Sequence, residues 1–148
     1  MMLIELAREG FTNLIGVDYS PKAIELSQSI ANDQELSIQY KVADLLSDTE
    51  MELLGLYKIV HDKGTYDAIS LNPDNTKLRR IQYIDNIYKI LDDDGLFIIT
   101  SCNWTEQELI NTFNDKFSLH TVIPTPTFKF GGRVGNVVTS LVFAKNSN

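Results

Sequence analysis

The sequence predicts an α/β protein built on a mostly parallel, doubly wound sheet. Short apolar runs alternate with segments whose apolar residues recur every three or four positions, the pattern of strands joined by helical crossovers. Near the C-terminus two strand-like segments follow one another with no helical segment between them, which predicts a terminal antiparallel pair. With no repeat or long linker, we expect residues 1–148 to form a single domain.

The first third of the chain predicts two helices and two strands. A helix is expected over residues 1–9, since Gly10 stands where a helix C-cap glycine belongs. A strand over residues 14–18 is followed by Ser20 and Pro21, the N-cap and first residue expected of a helix that runs to about residue 33. The alternating residues 38–42 predict the next strand.

The middle of the chain predicts a short helix or turn over residues 48–56 and a strand over 57–61 that ends at Asp62. Residues 63–74 are expected to form a loop, partly extended. A helix between residues 75 and 91 is indicated by apolar residues at three- and four-residue spacing: Leu78, Ile81, Ile84, Ile87, Tyr88 and Leu91.

The last third begins with residues 96–100, a continuous apolar run typical of a strand covered on both faces. Thr105 and Glu108 form a capping-box pattern that predicts a helix start. Residues 117–123 and 137–144 are the terminal strand pair. The glycine-rich residues 131–135 between them open no helix, so we interpret them as a connection and not as a phosphate loop.

Composition excludes several classes of protein. The formal charge of −7, from 13 basic and 20 acidic side chains, argues against a nucleic-acid binder and suits a basic protein partner. The single cysteine, Cys102, excludes a disulfide framework and, with no secretory pattern, indicates a reducing compartment, so we expect a cytoplasmic protein. No apolar run is long enough to span a membrane.

Polar residues follow the predicted strands, at the sheet edge where α/β proteins bind ligands. Asp18 suits the hydroxyls of a ribose, or it caps a turn; Asp44 could accept from an adenine amino group, or it is a loop acid. Asp62 could face a reacting group, or form a turn with Lys63. The segment 101–104 ends a further strand.

The sequence gives less support to a cysteine nucleophile, to a metal site or to aromatic stacking on a base. Cys102 as a nucleophile would need a base beside it, and nothing places His61 or His120 there. No spacing of histidines, cysteines or acids predicts a metal site. Tyr19 and Trp104 could each stack on a base or pack against a helix start.

Five motifs carry a family resemblance. GVDYSPKAI at residues 16–24 resembles the second-strand motif of class I S-adenosylmethionine-dependent methyltransferases, and DKGTYD at 62–67 resembles the fourth-strand motif of the methyltransferase-like lysine methyltransferases. The strings AISLNPD at 68–74, ITSCNWT at 99–105 and FGGR at 130–133 resemble the enzymes of this group that methylate translation elongation factor 1-alpha.

The resemblance implies a Rossmann-like sheet of seven strands in the order 3-2-1-4-5-7-6, with the last strand antiparallel. It implies S-adenosylmethionine as cofactor and elongation factor 1-alpha as protein substrate, acted on by a monomer. The ribose would be bound by Asp18, the adenine would be bordered by Asp44 and Leu45, and Tyr19 is a further candidate for cofactor binding.

The resemblance also implies the residues around the reaction. Asp62 would face the methyl group and the target amine, with Asn103 and Trp104 as further catalytic candidates. The substrate would contact Lys63, Gly64, Thr65 and Asn72.

The family's first strand and glycine-rich loop have no counterpart in this sequence, and the family order puts them just before Met1. We therefore expect an N-terminally truncated methyltransferase domain that is unstable or inactive by itself. Two alternatives stay open: a non-catalytic fragment of that enzyme, and a nicotinamide-binding protein. The terminal antiparallel pair and the lack of a catalytic Tyr–Lys or His arrangement speak against the latter.

Overall fold

The computed structural model describes residues 1–125, 129–131, 133–134 and 138–147. The chain divides into two compact units, Met1–Glu50 and Met51–Asn148, which are described separately below. That residues 1–148 form a single domain stays a prediction. None of the described helices is long and apolar enough to cross a membrane.

The first unit contains two helices and a pair of parallel strands. Its elements are α1 (Met2–Arg8), β1 (Ile15–Asp18), α2 (Pro21–Asp33) and β2 (Gln39–Val42), and the short helix α3 (Asp48–Glu52) begins at its end. The strands β1 and β2 are paired from Ile15 with Gln39 to Asp18 with Val42, so their carboxyl ends lie side by side.

The start of α2 follows the sequence prediction. The Ser20 hydroxyl accepts a hydrogen bond from Ala23 N at 3.3 Å, and Pro21 is the first helical residue. The core of this unit is formed by Ile4 of α1, Ala31 of α2 and Ile38 just before β2. These apolar contacts hold the helices on the strand pair.

The second unit contains a four-stranded sheet and three helices. Its elements are β3 (Tyr57–Lys63), α4 (Thr65–Leu71), α5 (Thr76–Ile90), β4 (Leu91–Ser101), α6 (Glu106–Phe113), β5 (Phe117–Ile123), the two-residue strands β6 (Lys129–Phe130) and β7 (Arg133–Val134), and β8 (Thr139–Lys145). The strand order is β3-β4-β8-β5, with β3 and β4 parallel and β8 antiparallel to both neighbours. The predicted terminal antiparallel pair is therefore confirmed, and the order matches strands 4-5-7-6 of the order that the resemblance implies.

The prediction of a loop over residues 63–74 is wrong, because α4 occupies Thr65–Leu71. Its first turn is stabilised by the Asp62 carboxylate, which accepts hydrogen bonds from Thr65 N at 2.7 Å and Tyr66 N at 2.9 Å. Gly64 precedes the helix with a φ of +93°, a conformation that favours glycine. Part of the predicted loop is thus the capped start of a helix.

The structure adds the buried face of α5 and corrects the start of β4. The helix α5 buries Tyr83, Asn86, Ile87 and Ile90, whereas Leu78 and Ile81 are 66% and 47% exposed. The strand predicted over residues 96–100 begins earlier, because the acidic residues 92–94 lie within β4, at a register shift between Tyr57 and Ile59 of its partner β3. The hairpin β6–β7 was not predicted. Gly132 and Gly135 of the glycine-rich segment, and Val137, lie outside the described residues.

Aromatic side chains fill the core of the second unit. Phe97, Phe113, Phe117 and Phe143 are each no more than 1% exposed, and their ring centroids lie 5.4–6.4 Å apart. Tyr66 of α4 joins the same cluster through Phe113, at 5.3 Å between ring centroids. Because these rings come from strands and helices together, the cluster fixes α4 and α6 against the sheet.

Candidate functional site

The first unit brings the predicted nucleoside-binding residues to one edge. Asp18 is the last residue of β1, and its backbone carbonyl accepts a hydrogen bond from Ala43 N at 3.0 Å, just beyond β2. Its carboxylate Oδ1 accepts from Ser20 N at 2.8 Å. Among the described residues nothing donates to Oδ2, which leaves one exposed oxygen for a ligand hydroxyl.

Tyr19 and Asp44 are also exposed at this edge. The Tyr19 side chain is 77% exposed, and so its ring face is accessible. Asp44 Oδ1 accepts from Leu46 N at 2.9 Å, and Asp44 N donates to Glu50 Oε2 at 2.7 Å, so the turn after β2 is held at both ends. Leu45 lies half-buried within this turn. The four residues predicted for the adenosine thus follow two neighbouring parallel strands.

In the second unit, Asp62 lies near the end of β3 and is only 5% exposed. Besides the two backbone N–H groups of α4, the Tyr83 hydroxyl donates to its Oδ2. Burial, together with the Asp62 carboxylate, raises the pKa of Tyr83 well above its usual value, so its hydroxyl keeps its proton. Both oxygens of Asp62 are therefore engaged, and the structure gives this residue a capping role at the start of α4.

A second buried carboxylate, Asp67, holds the loop that follows β4. Its Oδ1 accepts from the Ser101 hydroxyl at 2.6 Å, and its Oδ2 accepts from Cys102 N at 2.9 Å. Ser101 Oγ in turn accepts from Asn103 N and Trp104 N, each at 3.1 Å. The role of Asp67 could not be predicted from the sequence, because its partners lie more than thirty positions away in the chain.

Trp104 is held by its ring as well as by its backbone. The Arg80 guanidinium of α5 lies 4.7 Å from the centroid of the Trp104 ring, within range of a cation–π interaction. On α4, the Tyr66 ring lies 6.3 Å from the same ring. Arg80 was also missed, since an arginine on a helix is ordinarily a solvent-exposed charge.

A cavity of about 470 Å³ lies beside this loop, between the end of β4 and the β5–β8 pair. Its lining residues are Cys102, Asn103, Trp104, Thr105, Glu106, Val122, Ile123, Pro124, Thr125, Val138, Thr139 and Ser140. Of these, only Glu106 is charged. Two of the three predicted catalytic residues, Asn103 and Trp104, thus contribute to one cavity, and Asp62 does not line it.

The predicted substrate-binding residues are spread along one segment. Lys63 and Thr65 are exposed on either side of Gly64, at the junction of β3 and α4. The Asn72 side chain accepts a hydrogen bond from Asp74 N at 3.0 Å and so shapes the turn before α5. None of these four lines the cavity.

A row of polar side chains crosses the sheet nearby. His61 Nε2 lies 3.1 Å from Thr100 Oγ1, which lies 3.1 Å from the Ser140 hydroxyl. Burial lowers the pKa of His61, an effect that exceeds the opposing influence of the adjacent Asp62 carboxylate. The described part of the chain contains no group of three or more histidines, cysteines or acids that could hold a metal ion.

Curated relatives match nearly all of this chain. It is 51% identical over 146 residues to EEF1A lysine methyltransferase 2 from Mus musculus and from Homo sapiens, and these matches cover 98% of the chain. Protein-lysine N-methyltransferase EFM4 from Saccharomyces cerevisiae is 38% identical over 153 aligned residues, covering 99% of the chain. The chain spans 59% and 61% of the two mammalian proteins and 66% of the yeast protein.

Solved structures show the same fold at low sequence identity. The PH0226 protein from Pyrococcus horikoshii OT3 matches with a TM-score of 0.74 and 14% identity, over 98% of this chain and 76% of that one. The N-methyltransferase NodS from Bradyrhizobium japonicum WM9, solved with S-adenosyl-L-homocysteine, matches with a TM-score of 0.65 and 14% identity, over 92% and 67%. A family model described as a methyltransferase domain matches residues 1–140. The sequence, the fold and this match agree, and the chain belongs to the methyltransferase domain family.

Proposed function

We propose that this chain is part of an S-adenosylmethionine-dependent protein-lysine N-methyltransferase whose substrate is translation elongation factor 1-alpha. The observation that carries the proposal is the cavity beside Asn103 and Trp104, whose described lining residues combine apolar walls with the one charge of Glu106. Such a lining suits an aliphatic side chain that ends in an ammonium group. The relatives named as EEF1A lysine methyltransferase 2 support the choice of reaction and of substrate.

The residues of the first unit fit the adenosine part of S-adenosylmethionine. Asp18 offers one unengaged carboxylate oxygen to the ribose hydroxyls, and the acid–ribose pairing is a general device of nucleotide-binding sheets. The exposed Tyr19 ring, Asp44 and Leu45 would border the base. When bound, the cofactor supplies an electrophilic methyl group on its sulfonium sulfur.

The lysine amine must be neutral to attack that methyl group. An unperturbed lysine has a pKa near 10.4, and burial of the amine between Trp104 and the apolar residues Val122, Ile123 and Val138 would lower it. The carboxylate of Glu106 would instead attract the charged form, so its proposed role is to recruit the substrate. Most of the acceleration would come from alignment, for which effective molarities are worth about 7–11 kcal/mol.

The remaining residues of the proposed site act at the β3–α4 junction. Asp62 would hold this junction through Thr65 N and Tyr66 N and so position the amine indirectly. Lys63, Gly64 and Thr65 would contact the substrate backbone, and Asn72 would fix the turn that follows α4.

Cofactor binding is tested first, by calorimetry with S-adenosylhomocysteine on the intact protein that contains this chain. Asp18→Asn keeps the acceptor for Ser20 N and replaces the unengaged oxygen by an amide group. We expect the dissociation constant to rise about tenfold or more, since hydrogen bonds to charged groups are worth about 1.5–3 kcal/mol. Asp33→Asn, which removes the same charge from the exposed end of α2, is the control and leaves it unchanged.

Methyl transfer is tested with purified elongation factor 1-alpha and S-adenosylmethionine, followed by mass spectrometry of the product. A mass increase of one or more methyl groups on a lysine supports the proposal. No transfer by a protein that binds the cofactor would contradict the choice of substrate.

A nicotinamide nucleotide is the second candidate ligand, because Asp18 would suit the ribose of either compound. Thermal-shift titrations with S-adenosylhomocysteine and with NAD separate the two. Stabilisation by NAD alone would overturn the methyltransferase proposal.

A further inference from the structure

We propose that Asp67, acting through Ser101, is a positioning residue that fixes the loop of residues 102–104 as a wall of the acceptor cavity. Its effect on catalysis rests on the function proposed above. Its effect on the loop does not, and can be measured without any substrate.

The direction of each hydrogen bond in this network is determined by chemistry. Backbone N–H groups can only donate and an ionised carboxylate can only accept, so the Ser101 hydroxyl must direct its proton to Asp67. Its oxygen is then free to accept from Asn103 N and Trp104 N. The carboxylate also takes Cys102 N directly, so three consecutive N–H groups depend on one acid.

The accepting side chains of this network are buried. Ser101 is fully buried and Asp67 is 8% exposed, whereas the donating residues Cys102 and Asn103 are exposed. A buried carboxylate is tolerated only when donors satisfy its oxygens. Replacing that carboxylate leaves the groups that donate to it without an acceptor. The three N–H groups are therefore expected to stay paired as long as the carboxylate is present.

The network joins elements that are distant in sequence. Asp67 lies on α4, Ser101 ends β4, and Trp104 is covered by Arg80 of α5. The loop is therefore fixed at its backbone from α4 and at its indole ring from α5. Since Asn103 and Trp104 both line the cavity, the position of this wall depends on a residue that does not line it.

Asp67→Asn and Ser101→Ala each remove part of the network with little change in volume. We expect the KM for the protein substrate to rise about tenfold and the KM for S-adenosylmethionine to change less than about twofold, with each variant measured where it is fully folded. A general loss of structure would instead lower the active fraction and leave both KM values unchanged.

Amide hydrogen exchange, resolved for residues 102–104, gives the independent measurement. In the unsubstituted protein we expect Cys102 N, Asn103 N and Trp104 N to be protected. Asp67→Asn should speed exchange at all three positions, whereas Ser101→Ala should speed it at Asn103 and Trp104 only, because Cys102 N still donates to the Asp67 carboxylate. Tyr83→Phe is the matched control, because it removes a buried hydroxyl that donates to Asp62 and touches none of the three.

The two kinds of failure are distinguishable. Unprotected amides at 102–104 in the unsubstituted protein overturn the proposal, even if neither variant folds. If the amides are protected but no protein lysine is methylated, the proposed function is contradicted. The role of Asp67 in holding the loop is then still supported. Unchanged KM values in folded variants with fast-exchanging loops would overturn the link to the acceptor cavity.

Discussion

At the scale of single residues, this chain stabilises two buried carboxylates by giving each several donors. Asp62 accepts from two backbone N–H groups and the Tyr83 hydroxyl, and Asp67 accepts from the Ser101 hydroxyl and Cys102 N. A buried charge without such partners would cost several kcal/mol. The two acids therefore order the start of α4 and the end of β4.

Asp62→Ala tests whether the capped junction matters for the reaction. We expect cofactor affinity to stay nearly unchanged and turnover to fall about tenfold or more, because Thr65 N and Tyr66 N lose their acceptor and the start of α4 shifts. Turnover is measured at a temperature where the variant is fully folded. Asp74→Ala, at an exposed site in the turn before α5, is the control, and equal turnover of the Asp62 variant would exclude the proposed role.

His61 predicts a pH dependence of stability. Burial lowers its pKa in the folded protein, Lys63 acts in the same direction and Asp62 opposes it. Near pH 6.5 the unfolded chain therefore binds more protons than the folded protein. The free energy of unfolding decreases as the pH falls through this range, and the contribution of neutral His61 to stability is complete above it. Urea midpoints at pH 5.5 and 7.5 measure the difference, which should be smaller in His61→Gln; an equal difference would contradict this sign.

At the scale of elements, helix starts were the most predictable features. The capping box is present as expected: Thr105 Oγ1 accepts from Glu108 N at 3.2 Å, and the Glu108 carboxylate accepts from Thr105 N at 2.8 Å. Both contacts join residues three positions apart, so the information is entirely local. The same holds for Ser20 and Pro21 at the start of α2.

Thr105→Ala should lower the free energy of unfolding by about 1 kcal/mol, the usual cost of losing an N-cap hydroxyl. Chemical denaturation of the two proteins measures it. Thr105→Ser keeps the acceptor and is expected to remain within a few tenths of a kcal/mol of the original protein. A loss of the same size in the serine variant would show that the methyl group, and not the cap, is responsible.

The helix α4 was missed for a local reason of a different kind. Its cap is supplied by Asp62, a residue that belongs to the preceding strand, and the glycine between them was interpreted as a loop signal. The apolar residues of α5 extend around much of the helix, so the sequence did not determine its buried face. Which of them became buried depended on the sheet and on α4, and Leu78 and Ile81 were left exposed.

At the scale of the whole molecule, the strand pairings follow the predicted order in each unit. The parallel pair β1–β2 and the sheet β3-β4-β8-β5 correspond to parts of the sheet that the family resemblance implies. The strand order was anticipated from the family resemblance, whereas the crossover rules by themselves predict only the handedness of the connections. The charge of −7 belongs to the same scale and suits a basic protein partner.

The sequence by itself determined the α/β class, most element positions and the strand-end location of Asp18, Asp44 and Asp62, because periodicity and capping are local in the chain. Only the tertiary structure decided what those side chains do. Among the described residues it placed donors on both oxygens of Asp62 and on one oxygen of Asp18, and it joined Asp67 to a loop more than thirty residues away. Such long-range hydrogen bonds depend on which surfaces the apolar core brings together, and no short segment of sequence contains that information.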